Sequence, residues 1–540
     1  MGSNYDFIIV GAGSSGCVLA NKLSKCGKYS VCLIEPGSKN NNPLVNTPIG
    51  IALLMQLKTF NYSFNSINQP HQDNRQIFQP RGKGLGGSSA INAMLYTRGQ
   101  KQDYDDWAAL GNEGWDYDSM LPYFKAMENQ QSILNDFHGK DGELWVSDSR
   151  SAHPVASEFV QSSMNAGYPF NADFNGATQA GVGYYQVTQK LGKRHSAAAA
   201  FLADITKRKN LTILTGCQVE KILITDNKAT GVRYRAQNTL ITIQAAKEVI
   251  LSAGAFHSPQ LLMLSGIGAE NELQQHNIKL VKHLPGVGKN LQDHVDAIIV
   301  NEIERDDVIS LAPKSLLYLG KQLWRYWRHN TGLMTTSIVE SGGFINTKDI
   351  NERPDIQWQF IPGAMDDHGR NVKMFIKRGI STHVCLLRPN SRGSITLKDS
   401  NIASPPVIDG NLLSDQEDLN TMIKAVKMTR KLLSHPPLGK AIKSEIIPGK
   451  EVQTDKQIED FLRAKSNNIY HPVGTCKMGS DDMSVVNEKL QVHGIGNLRV
   501  VDASIMPIII SANTNAPCMA IAAKAADLIL EKANSQQSTS

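Results

Sequence analysis

The sequence predicts an α/β protein built from at least two folding units. Three observations support this. At 540 residues the chain is too long for one ordinary hydrophobic core. Its 43 glycines against 22 prolines suit a fold rich in tight turns, and 41% hydrophobic with 20% charged residues is the normal globular range. Near the start, two short apolar runs flank a segment with helical spacing, as in a parallel strand–helix–strand unit.

That first unit is "DFIIVGAGSSGCVLANKL" (6–23), followed by "SVCLIE" (30–35). Phe7–Val10 is a short apolar run suited to a buried parallel strand. Gly11, Gly13 and Gly16 then give the G-x-G-x-x-G spacing of a dinucleotide-binding turn. The first permits the turn, the second lets a pyrophosphate approach, and the third allows helix and strand to pack. The helix N-terminus offers free amides to phosphate. Glu35 ends the second strand 24 residues after Gly11 and can accept from ribose hydroxyls. An acid there disfavours a 2′-phosphate and so argues against NADP. The motif itself leaves NAD and FAD open.

A second glycine-rich stretch, "RGKGLGGSSAINAMLYTRG" (81–99), lacks the Lys-Ser/Thr ending of a triphosphate loop. Exposed amides and hydroxyls there suit the rest of a long dinucleotide. "NIYHPVGTCKMG" (468–479) places His471 before Pro472, which has no amide donor and holds the histidine extended. His471 therefore sits at a strand end or rigid turn, either packed or aimed at a ligand.

Other chemistries find little support. A net charge of +6 over this length does not mark a nucleic-acid partner. The seven cysteines include no C-x-x-C and suit a reducing compartment. His471 and Cys476 have no partner pair for zinc, and no G-x-S-x-G elbow occurs. The start runs directly into the first strand, which predicts no export signal, and no apolar run approaches the ~20 residues of a membrane span. The expectation is a soluble, cytoplasmic chain.

Position by position, 81–99 resembles the first signature of the glucose–methanol–choline oxidoreductase family, and "GAFHSPQLLMLSGIG" (254–268) resembles the second. "LPGVGKNLQDH" (284–294) and "NTNAP" (513–517) resemble further family blocks. The resemblance spans nearly the whole chain, most closely the choline and aliphatic-alcohol branch. It implies FAD, and a Rossmann-like domain with a discontinuous α+β substrate domain on a largely antiparallel sheet. The FAD domain is expected at 1–155, 195–300 and 460–535, the substrate domain at 156–194 and 301–459, and a disordered tail at 536–540. "GGSSAIN" has no histidine, so the flavin is expected to be non-covalent.

The resemblance also implies the site. His471 is the expected general base, taking the hydroxyl proton as hydride passes to flavin N5, and Asn513 supports the forming alkoxide. Tyr470 is a candidate pocket wall. Besides Gly11, Gly13, Ser15, Gly16 and Glu35, the cofactor set takes in Arg81, Gly82, Gly86, Gly87, Ser88, Asn92 and Ala93. Val219, Asp502, Ala503, Asn513 and Thr514 complete it. The expected activity is oxidation of a primary alcohol to the aldehyde, with electrons going to quinone or another acceptor. Choline dehydrogenation, O2-dependent oxidation and an FAD-containing hydroxynitrile lyase are the alternatives. Finally, "KSLLYLGKQLWRYWRH" (314–329) carries four Lys/Arg among Leu, Trp and Tyr. It is either a helix covering the substrate sheet or a peripheral contact with the inner face of the cell membrane.

Overall fold

The computed structural model describes residues 4–538, without the side chains of 314, 316 and 536–538. Two seven-stranded sheets organise it. In the first, Asn4–Val10 lies between Val31–Glu35 and Thr239–Leu251, parallel to both. Leu211–Thr215 extends the parallel sheet on one side, and Leu498–Val500 pairs with the end of Thr239–Leu251. Phe7, Ile8, Val31 and Ile250 are among the side chains buried on its two faces, which explains the uninterrupted apolar runs. Lys228–Ala236 and Cys217–Thr225 continue the sheet as an antiparallel ribbon. The helix Ser14–Ser24 follows the first strand directly and packs on the C-terminal helix Asn515–Ser538.

The second sheet is antiparallel in the order Ile442–Ile447, Val295–Ile303, Gly379–Leu386, Ile356–Ile361, Ser341–Ile345, Gly181–Tyr184. Its strands alternate. Trp358, Phe360 and Val384 point into an apolar core shared with the helices Pro154–Asn165, Gln416–Leu433 and Asp455–Lys465. Phe159 stacks on Phe360 at 4.6 Å between ring centres. The opposite face carries Gln357, Gln359 and His383, and two of these line the cavity described below.

Three boundaries differ from expectation. Val295–Ile303 lies wholly in the second sheet, because its alternate residues complete that sheet's apolar core; the expected division at 300 would cut it. Asn467–Asn468 also pairs with this strand, although it was assigned to the cofactor unit. The expected tail is helical as far as Ser538. Residues 539–540 lie outside the described residues.

Candidate active site

A cavity of about 320 Å³ runs between the two sheets. All the site residues expected from sequence line it except Gly16 and Gly86. Those two shape its walls instead. A Cβ on Gly16 would stand 1.9 Å from the Gly11 carbonyl oxygen, so only glycine lets helix and turn meet. The Gly86 N–H donates to the Ala12 carbonyl at 2.8 Å, tying the second glycine loop to the first. Gly87, at φ +51°, comes so near the first loop that a Cβ would lie 2.7 Å from Gly13 Cα.

At one end this cradle fits a dinucleotide. A Cβ on Gly13 would meet only the Ser252 carbonyl at 3.9 Å, leaving its backbone face open to the cavity. The helix that begins at Ser14 has no side-chain cap, so its first-turn amides remain for an anion. Ser15 and Thr514 line the same end, where Ser14 Oγ–H donates to Asn515 Oδ1 at 2.7 Å. Glu35 behaves differently from a simple ribose ligand. Its Oε2 accepts from the Ala12 N–H at 3.0 Å, and its Oε1 from Gly37 and Gly84, each at 2.9 Å. The carboxylate thus fastens both glycine loops, and burial pushes its pKa up against those three donors. Of roughly four lone-pair sites, about one remains for a ribose hydroxyl. Asp502 is similarly engaged. Its Oδ2 accepts from Gly254 N–H and Ser258 Oγ–H, and its Oδ1 from Ser504, so it braces the two turns beside the cavity.

At the other end His471 is clamped. Tyr470, at φ +70°, turns the chain into it, and the Tyr470 carbonyl accepts from Arg81 Nη2 at 2.7 Å. The His471 N–H donates to Asp293 Oδ1 at 2.7 Å. A left-handed, non-glycine residue is sparsely populated, and here charged groups on both sides of the peptide hold it. Burial pushes the Arg81 guanidinium down to about 10 and the Asp293 carboxyl up to about 6.

The ring tautomers follow from one fixed acceptor. His294 Nε2 lies 3.0 Å from the Ile510 carbonyl, which can only accept, so Nε2 carries the proton. Burial lowers the His294 pKa to about 4, which keeps the ring neutral and leaves Nδ1 with a lone pair. That lone pair faces His471 Nδ1 at 3.0 Å, so His471 Nδ1 is the donor and Nε2 the free base. Burial, then His294 and Arg81, hold the His471 pKa well below the usual imidazole value. Asn513 Nδ2 donates to His471 Nε2 at 3.1 Å. Its Oδ1 accepts from Thr97 Oγ1 at 3.1 Å and Gln357 Nε2 at 3.4 Å, which fixes the amide's orientation. Asn513 thus meets the histidine, whereas Asn515 meets Ser14 at the opposite end.

Asp293 and His294, which hold His471 in place, were not singled out in the sequence. Both sit in 284–294, read only as a family block; an acid and a histidine side by side just before the strand "VDAIIV" were the available signal. Tyr470 lines the cavity, and its hydroxyl bonds to His368 Nδ1.

The GMC oxidoreductase sequence models match residues 5–296 and 389–522. An "Alcohol dehydrogenase [acceptor]" of Pseudomonas putida is 47% identical over 535 residues, covering 98% of this chain and 96% of the relative. The mitochondrial choline dehydrogenase of Mus musculus is 40% identical, covering 97% and 89%. Among solved structures, pyridoxine 4-oxidase from Mesorbium loti superimposes with a TM-score of 0.88 at 27% identity, covering 97% and 98%. With two glycine loops laced together beside a clamped histidine–asparagine pair, and with relatives matching along its whole length, this chain is an oxidoreductase that belongs to the GMC oxidoreductase family.

Proposed function

We propose that the protein oxidises a primary alcohol to its aldehyde with non-covalent FAD, His471 acting as general base and Asn513 binding the substrate oxygen. The observation that carries this reading is the tautomer chain from Ile510 through His294, which leaves His471 Nε2 unprotonated beside an amide donor. Bound along the glycine cradle, FAD supplies the two-electron acceptor for a hydride leaving the alcohol carbon. The alcohol oxygen enters between Asn513 Nδ2 and His471 Nε2 and replaces the 3.1 Å bond between them, its O–H donating to Nε2, which takes the proton as negative charge grows on oxygen. Asn513 Nδ2 donates to that oxygen and cannot compete as a base. Ile338, Val339, Ile361, Met365 and Phe375 wall the substrate end and favour an aliphatic chain. Choline is disfavoured, since the nearby carboxylate of Asp296 is buried and already pairs with His368 and His383. The test is anaerobic mixing of FAD-loaded protein with choline and with aliphatic and aromatic alcohols. Aliphatic alcohols are expected to bleach the flavin absorbance, and bleaching by none would sink the proposal.

The reading extends to quinone as acceptor, reached by peripheral contact with an anionic membrane surface. No helix among the described residues is long and apolar enough to cross a membrane. The helix Pro313–His329 instead turns four of its large apolar side chains outward. Leu317 and Trp327 are 87% and 81% exposed, Leu323 and Trp324 more than half. Its buried side carries Ser315 and Gln322, whose Oε1 accepts from the Leu333 N–H. Lys321, Arg325 and Arg328 are exposed among the aromatics, and Val372 and Ile376 are exposed nearby. The side chains of Lys314 and Leu316 lie outside the described residues. This arrangement suits a lipid interface better than a helix covering a sheet. The protein is expected to float with anionic vesicles at low salt and less at high salt. Changing Trp324→Ser and Trp327→Ser together should abolish flotation without loss of flavin reduction. A wild-type protein that does not float would remove the membrane contact.

A further inference from the structure

The cavity-facing side of the second sheet carries a polar pair that the oxidation reading leaves unused. Gln359 and His383 stand directly opposite each other on neighbouring antiparallel strands. Both line the cavity, and both are at least nine-tenths buried, at 4% and 5% exposure. Yet Gln359 Nε2 and His383 Nε2 have no hydrogen-bond partner among the described residues. Buried polar nitrogens left without partners are unfavourable, so a bound group that satisfies both would recover that loss.

The chemistry of the pair can be read from behind it. His383 Nδ1 lies 2.8 Å from Asp296 Oδ2, and His368 Nε2 lies 2.8 Å from the same oxygen. Burial opposes the charge on Asp296, but the two imidazoles outweigh it and hold the carboxyl well below its usual range. The carboxylate only accepts, so His383 Nδ1 is the donor to it, and the imidazole tautomer with its proton there offers the Nε2 lone pair to the cavity. The sheet therefore presents one donor, the Gln359 amide, beside one acceptor. A hydroxyl complements both at once, whereas a carboxylate or a quaternary ammonium does not. Asp296, His368 and His383 also have metal-ligand side chains within 4.8 Å of one another. Here, however, the carboxylate oxygen already takes both imidazole N–H groups.

Spacing sets the length of the ligand. Gln357 holds the Asn513 amide, and Gln359 is the next residue on the same face, about 7 Å further along the strand. Ile361, the next residue on that face beyond Gln359, lines the cavity with Met365 and Ile338, so the surroundings of the pair are apolar. We propose that the preferred substrate is a medium-chain diol whose distal hydroxyl accepts from Gln359 Nε2 and donates to His383 Nε2. This deepens the alcohol-oxidation reading and rests on it for the reacting end.

The test compares hexane-1,6-diol with hexan-1-ol on the FAD-loaded enzyme. The diol is expected to show about tenfold or more higher kcat/KM, because the alkanol leaves the buried pair unpaired. Gln359→Leu should collapse that ratio by about the same factor. Thermal stabilisation by hexane-1,6-diol, lost in Gln359→Leu, reads the subsite without turnover. Flavin reduction by hexan-1-ol with no diol preference and no Gln359-dependent stabilisation would overturn the subsite and leave the oxidation reading intact. Gln359-dependent stabilisation by the diol without reduction by any alcohol would do the reverse. Stoichiometric zinc bound by Asp296, His368 and His383 would also overturn it, since the metal would take the proton-bearing nitrogen.

Discussion

Replacing His471 with alanine is expected to lower kcat/KM for an alcohol by about 10²–10⁴-fold while FAD stays bound. The effect is large because the site offers one free base. Asn513 cannot accept the proton, and His294 meets the Nδ1 side of the His471 ring, away from the Nε2 side where Asn513 stands. The pH profile gives a second reading. The active form is the neutral imidazole, and its pKa is held below the usual value. Protonation therefore removes activity only at pH below the ~6.5 of an ordinary histidine, and kcat/KM should stay level through neutrality. His294→Gln separates base from positioning residue. Removing that ring takes away one cause of the depressed pKa, so the acid limb should move upward, with a smaller loss of kcat than His471→Ala. Stopped-flow flavin reduction across pH checks both. A His471→Ala variant that still reduces its flavin at near wild-type rate would remove the base assignment.

Glu35→Ala is expected to yield protein isolated largely without flavin, its affinity for added FAD reduced about a hundredfold or more. Three backbone N–H groups, those of Ala12, Gly37 and Gly84, lose their acceptor. Each buried donor left unmade costs about 1–3 kcal/mol, and 1.4 kcal/mol is already tenfold in binding. The loss falls on the cradle itself, because this carboxylate spans both glycine loops. Glu35→Gln should be intermediate, since its amide nitrogen turns an acceptor into a second donor facing those N–H groups. The ratio of flavin to protein absorbance and an FAD titration measure the effect. Full flavin content in Glu35→Ala would show that the loops hold their shape without it.

Local chemistry was the legible part. The strand–turn–helix at 6–23 was readable because its glycines and apolar run act within a few residues. "PDIQWQF" declared a strand by alternation, and the polar members of that alternation are Gln357 and Gln359. The partners of His471 were not readable from their own positions. Its Nδ1 bond crosses 177 residues, and the amide it meets is oriented by Thr97, 416 residues from Asn513. No pattern of spacing encodes such a contact; the family block at 284–294 marked the place without giving the bond. Gly16 and Gly86 were placed in the right loops, but they act on backbone rather than on the cavity. The helix Pro313–His329 shows a different limit. The sequence left open whether it covers a sheet or faces a membrane, and only the packing of Ser315 and Gln322 tells that Leu317, Leu323, Trp324 and Trp327 are turned outward.

The clamp on His471 has a consequence for how the protein is made. Arg81 and Tyr470 are 389 residues apart, and Asp293 and His471 are 178 apart. Ile510, which fixes the first proton of the tautomer chain, comes later still. A ribosome emitting this chain from its N-terminus releases the glycine cradle's first strands early and the base's restraints last. During synthesis the cradle can gather before any oriented base exists beside it. Oxidising power is therefore switched on only at completion, and a truncated product ending before Ile510 would be left without it.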